Sequence, residues 1–176
     1  PIIGCEVYVA PRGRTRFQKV HEFDSSFHHL VLLCRNEEGY RNLSYMVSQA
    51  FLEGFYIKPR IDMDLLREHC GGLIACSACL AGELPRLLLA GEYDQAKAVA
   101  LEMQSLFGPD GYYLELQDHG IPSQKQVNAG LRRIHEETGI PLIATNDAHY
   151  LRREDAEMQD ILMCIQMGKT LDDPGR

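Results

Sequence analysis

Thr145-Asn146-Asp147-Ala148-His149 sets a carboxylate and an imidazole two residues apart, directly after the apolar run Pro141-Leu142-Ile143-Ala144. If that run is a strand of a parallel α/β sheet, its carboxyl end is where ligands bind. Asp147 and His149 then face one site, provided the segment stays extended. A carboxylate oxygen beside an imidazole nitrogen suits zinc or manganese. The same residues also fit an Asp that caps the following turn next to an exposed His.

Cys76-Ser77-Ala78-Cys79 stands in the analogous place after Leu73-Ile74-Ala75. A single CxxC is a weak sign of a zinc or redox site, because no second pair accompanies it. Cys76 is expected to pack in the strand as a small hydrophobe, leaving Cys79, beyond the strand end, to reach a metal. Glu6 interrupts the apolar segment Ile2-Ile3-Gly4-Cys5-Glu6-Val7-Tyr8-Val9. A buried carboxylate without a partner is costly, so Glu6 is expected to be paired, metal-bound or on a solvent-facing side. Alternation puts it on the face of Gly4 and Tyr8 without saying which face is wet. His28 and His29 precede the next strand, where one or both are candidate ligands and the alternative is two surface histidines. His119 also follows a strand but ranks below these. His21, His69 and His135 stand among polar residues and read as solvated surface.

The elements that must position these side chains follow from hydrophobic spacing. Apolar runs bounded by turn residues predict strands over residues 2–10, 29–34, 73–76, 112–116 and 141–145. Helices are predicted over 38–52, 62–69, 83–89, 93–107, 123–138 and 153–167. In the first, Tyr40, Leu43, Met46, Val47, Ala50 and Phe51 recur at helical intervals, and Gly139 is the expected cap of the fifth. Residues 12–26 read as a polar loop. The repeated strand-then-helix order predicts an α/β fold with a parallel sheet and helices packed outside it.

Composition narrows the functions. With 45% hydrophobic and 24% charged residues, the 176-residue chain supports one domain with a real core. Eighteen Lys and Arg against 25 Asp and Glu give a net charge of -7, so tight nucleic-acid binding by this segment alone is not expected. No apolar run approaches the roughly 20 residues of a membrane span, and six scattered cysteines without a secretory signal fit a reduced, cytoplasmic setting. The opening Pro1-Ile2-Ile3-Gly4 and the polar end at 169–176 are read as cut from something longer.

Taken together, residues 1–9, 29–33, 38–43, 53–62, 72–75, 77–83, 114–120, 144–150 and 168–174 resemble the PHP (polymerase and histidinol phosphatase) domain of bacterial DNA polymerase III alpha subunits. So many segments in one order make a specific match. Glu53-Gly54-Phe55-Tyr56-Ile57-Lys58-Pro59-Arg60-Ile61-Asp62 and Lys169-Thr170-Leu171-Asp172-Asp173-Pro174 are of the polymerase type and argue against a free-standing histidinol phosphatase.

The resemblance implies a partial, distorted (β/α)7 barrel whose centre holds up to three zinc or manganese ions. By position, the family's metal ligands fall on Glu6, His29, Cys79, Asp147 and His149; no proton-transfer residue is assigned. The family's His-x-His motif belongs to strands upstream of Pro1, so residues 1–176 are expected to be an incomplete PHP domain, with the polymerase domains elsewhere in the parent. For that parent the resemblance implies DNA-directed DNA synthesis, with the metal site serving a 3' to 5' proofreading exonuclease. Alternatively the domain is a silent scaffold that docks a proofreading subunit. DNA and other DNA polymerase III holoenzyme subunits are the implied partners, the latter two readings differing in what the metal site does; no membrane is implied.

Overall fold

The computed structural model describes residues 1–15 and 26–173; most of the predicted 12–26 loop, with His21, lies outside the described residues. The chain is mixed α/β and divides into two compact units, residues 1–145 and 146–176. The first unit is built on a six-stranded sheet of order β3-β1-β2-β4-β5-β6. Its strands are β1 (Gly4–Val9), β2 (His28–Cys34), β3 (Arg60–Ile61), β4 (Leu73–Cys76), β5 (Tyr112–Leu116) and β6 (Leu142–Ala144). All five predicted strands are present. The sixth, β3, is two residues long and centred on a buried Arg60, which carries no apolar signature.

The sheet is not all parallel, as the strand-then-helix order predicted. β2 runs antiparallel to both β1 and β4, while β1–β3, β4–β5 and β5–β6 are parallel. Element order constrains direction only where a crossover joins two neighbouring parallel strands, and β1 and β2 are antiparallel neighbours. The reversal brings the amino end of β2, with His28 and His29, to the end of the sheet where β1 and β4 finish, Val9 pairing with His28 and Val31 with Cys76.

The helices of the first unit are α1 (Glu37–Leu52), α2 (Met63–His69), α3 (Glu83–Leu89), α4 (Tyr93–Phe107) and α5 (Pro122–Thr138). Their ends follow local chemistry. Asn36 caps α1 by accepting the Gly39 amide at 3.0 Å, Asp62 caps α2 through the Leu65 amide at 2.9 Å, and Gly139 closes α5 in the left-handed conformation. Of the α1 residues read as periodic, Leu43, Met46 and Ala50 are buried whereas Tyr40 and Phe51 are exposed. Val7, Val9, Leu30, Leu32, Leu43, Met46, Ile61, Leu66, Leu114, Val127, Leu131 and Ile134 belong to one core between sheet and helices. Each fully buried side chain of this size stabilises by roughly 1.5–3 kcal/mol relative to exposure.

The second unit holds a 3-10 turn at Arg153–Asp155 and α6 (Ala156–Met167), which Gly168 ends in the left-handed conformation. The predicted single helix over 153–167 is thus a short turn followed by a helix. No helix among the described residues is long and apolar enough to cross a membrane.

Candidate metal centre

Side chains on β1 alternate between two environments. Val7 and Val9 point into the core, so Glu6 and Tyr8 point to the other face. On β2, Leu30 and Leu32 join the core, which leaves His29 on the face of Glu6, opposite Tyr8 in the register. Oε1 of Glu6 lies 2.9 Å from Nδ1 of His29. Sγ of Cys79 lies 3.6 Å from the same nitrogen. Each of the three residues offers a ligand atom within 4.8 Å of the others. Phe27 stacks on the His29 ring at 5.9 Å, and Tyr8 meets it edge-on at 5.1 Å. The predicted wet or paired Glu6 is therefore both: it faces away from the core and pairs with His29.

Cys79 reaches the cluster because the chain turns sharply after β4. Ala78 takes φ +63°, an uncommon conformation for a residue with a Cβ. The His29 amide also donates to the Ala81 carbonyl at 3.1 Å, tying the start of β2 to this turn. Within the CxxC segment the two cysteines differ as expected: Cys76 is 3% exposed in β4 and Cys79 is half-buried at the cluster. Burial, aided by the Glu115 charge, pushes the Cys76 thiol up to about 12, so it stays protonated.

The two adjacent histidines separate. His29 is pushed up to about 9 by its hydrogen bonds to Cys79 and Glu6, outweighing its partial burial. His28 points to the core side, where it lines a cavity of about 20 Å³ with Ser77, Glu83 and Tyr112. Burial, then Arg86 and His29, lowers it to about 4. Of the two candidate ligands, only His29 joins the cluster; strand alternation is the reason.

Asp147 and His149 belong to the second unit. The condition that this segment stay extended is not met, because Asp147 has φ +47°. His149 Nδ1 lies 2.7 Å from the Asp147 carbonyl oxygen. A carbonyl only accepts, so Nδ1 carries the proton and Nε2 keeps its lone pair for a ligand. The lower-ranked His119 is exposed. His69 and His135 depart from the solvated reading: both are half-buried, His69 packs on Tyr45 at 4.5 Å, and Nδ1 of His135 donates to the Ile140 carbonyl at 2.7 Å.

Imidazole nitrogen, thiol sulfur and carboxylate oxygen form a donor set suited to zinc, and the nitrogen and oxygen also to manganese. Direct ligands stand roughly 2.0–2.3 Å from zinc, so donors already within 4.8 Å of one another need only small rotations to share an ion. The residues fit the cation that the resemblance implies.

A second group of polar residues escaped the sequence reading. Ser77 and Glu115 are 3% and 5% exposed. Glu115 Oε2 accepts the Ala78 amide at 2.6 Å and Oε1 accepts the Thr145 hydroxyl at 2.8 Å. The available signal was the one used for Glu6, a carboxylate inside an apolar strand, here Tyr112-Tyr113-Leu114-Glu115-Leu116.

Comparison with known proteins agrees with this architecture. The family model for the PHP domain matches residues 1–119. The chain is 47% identical over 175 residues to the DNA polymerase III subunit alpha of Treponema pallidum, covering 99% of this chain and 15% of that protein. It is 47% identical over 176 residues to that of Thermus aquaticus, covering 100% of this chain and 14% of that protein. The subunit of Borreliella burgdorferi is 46% identical over 176 residues, covering 100% of this chain and 15% of that protein.

Proposed function

The chain belongs to the PHP domain family, and from that premise we propose that it is the metal-binding region of a bacterial replicative DNA polymerase, serving a 3' to 5' exonuclease. The convergence of Glu6, His29 and Cys79 from three separate segments carries the reading. These residues hold divalent zinc or manganese, and the resemblance carries Asp147 and His149 over as further metal ligands. A divalent cation there supplies Lewis acidity for phosphodiester hydrolysis.

The protein's own groups divide the work. Glu6 and Asp147 contribute negative charge that holds a cation, while His29, His149 and Cys79 contribute softer donors. On ligating, His29 gives up the Nδ1 proton that Glu6 and Cys79 hold in the metal-free protein. Phe27 and Tyr8 cover the ring faces and edge and limit its rotation. With a net charge of -7, the region relies on the rest of the polymerase to hold the DNA. Its partners are DNA and the other DNA polymerase III holoenzyme subunits, and its setting is the cytoplasm.

Metal analysis of the purified full-length protein, with degradation of single-stranded 3' ends, tests this. Bound zinc or manganese and a degradation rate that falls in Cys79→Ser are expected. A wild-type protein without metal and without degradation assigns the domain to scaffolding and docking of a proofreading subunit instead.

A further inference from the structure

Glu115 is not one of the three clustered side chains, yet it connects the segments around them. It lies in β5, with its carboxylate between two chain turns. One oxygen accepts the Ala78 amide at 2.6 Å and the other accepts the Thr145 hydroxyl at 2.8 Å. The Glu115 amide donates to Ser77 Oγ at 2.8 Å, and the Ser77 amide donates to the Tyr113 carbonyl at 3.0 Å. On the other side, the Thr145 amide donates to the Leu116 carbonyl at 3.1 Å. Gln117 Nε2 donates to the Thr145 hydroxyl oxygen at 3.2 Å. One buried carboxylate thus ties the turn after β4 to the end of β6.

The location of the first of these bonds gives it meaning. Ala78 holds φ +63°, and a residue with a Cβ keeps that conformation only where its surroundings impose it. An ionised carboxylate offers acceptors only and can serve two donors at once. Taking the Ala78 amide, it fixes the backbone one residue before Cys79. At the other end it fixes Thr145, two residues before Asp147 in the chain. We infer that Glu115 is a positioning residue for the metal centre, setting the turn from which Cys79 reaches His29. The inference rests on the metal reading given above.

Cobalt(II) added to metal-free, full-length protein is the probe, because a thiolate ligand gives cobalt a charge-transfer absorption that nitrogen and oxygen ligands do not. Cys79→Ser should abolish that absorption. If it leaves the wild-type absorption unchanged, or if the wild type has none, the metal reading itself fails. Given a Cys79-dependent absorption, Glu115→Ala should weaken cobalt affinity by about 10- to 100-fold, the range usual for groups that orient a ligand, and reduce the thiolate absorption. Glu115→Gln can still accept the Ala78 amide and donate to Thr145, so it should recover most of the loss. Thr145→Val, which replaces the hydroxyl with a methyl and takes one partner each from Glu115 and Gln117, should weaken cobalt binding several-fold and lower the metal-free unfolding midpoint less than Glu115→Ala does. It carries the test if Glu115→Ala does not fold. Wild-type cobalt affinity and absorption in Glu115→Ala overturn the inference, as they do in Thr145→Val if that variant alone is folded.

Discussion

Sγ of Cys79 lies 3.6 Å from Nδ1 of His29, 50 residues away in the chain. The meeting depends on β2 running antiparallel, since only its amino end reaches the turn that follows β4. Glu6 Oε1 approaches the same nitrogen at 2.9 Å, so a proton there is held from two sides.

That proton gives metal binding a defined pH dependence. His29 has a folded value of about 9 against an ordinary 6.5. In the metal-free protein its contribution to stability is complete below 6.5 and lost as pH rises through 9. Metal loading runs the other way, because ligation needs the neutral ring. Apparent affinity for zinc should rise by at least about tenfold per pH unit from pH 7 to 9, because His29 gives up one proton on ligation and the Cys79 thiol gives up another. Calorimetry in two buffers of different ionisation enthalpy counts the released protons; affinity independent of pH contradicts this arrangement.

Asp62 links the cap of α2 to the segment after β1. Its carboxylate accepts the Leu65 amide at 2.9 Å, the Arg14 amide at 2.8 Å and the Arg14 guanidinium at 3.0 Å. Burial raises its pKa, but these donors and the Arg14 charge outweigh that and hold it below the ordinary 3.8. Its contribution to stability is therefore present above that value and lost as pH falls. Asp62→Ala should cost about 1–3 kcal/mol, combining a lost cap with the loss of one of the two carboxylates that Arg14 pairs with, Glu53 remaining at 3.0 Å. Asp62→Asn keeps the cap and should cost less. Urea unfolding at pH 7 measures both, and equal losses would remove the charge from the account.

Much of this arrangement was legible because local chemistry decides it. The cap at Gly139, the helix spacing of Leu43, Met46 and Ala50, and the apolar strands each follow from a few neighbouring residues. Strand direction was not legible, since apolar runs look alike whichever way they point; the antiparallel β2 had to be seen. β3 was hidden because what makes it a strand is its pairing with the distant β1, Tyr8 opposite Arg60 and Val9 opposite Ile61. At the site, residue types named Glu6, His29 and Cys79, but choosing His29 over His28 required the register. Glu115 escaped because its partners, Ala78 and Thr145, lie 37 and 30 residues away.

Gly39 offers a check on the packing that holds β4 beside α1. A Cβ built on Gly39 would lie 1.9 Å from the Gly72 carbonyl oxygen. Alanine elsewhere in a helix gains up to about 1 kcal/mol over glycine, but here the backbone must move. Gly39→Ala should be net destabilising by about 1–3 kcal/mol. Gly91, where nothing lies within 4 Å but φ is +81°, serves as the comparison: Gly91→Ala should cost about 1 kcal/mol from conformation alone. A Gly39→Ala protein as stable as wild type in urea would show that the α1–β4 approach is looser than described.

Asp147→Asn tests the second-unit ligands with little backbone disturbance. Asp147 has φ +47°, and Asn tolerates that region as well as Asp does. The His149 Nδ1 bond goes to the Asp147 backbone carbonyl, not to its side chain, so it survives the substitution and Nε2 stays available. What disappears is a negative charge. If Asp147 ligates a divalent cation, metal affinity of the full-length protein should fall at least about tenfold. Degradation of single-stranded 3' ends should fall with it, while DNA synthesis continues. His149→Ala should reduce metal content in the same assay through loss of the Nε2 donor. Two variants that retain wild-type metal content, measured by elemental analysis after dialysis, would remove Asp147 and His149 from the ligand set and leave Glu6, His29 and Cys79 to bind alone.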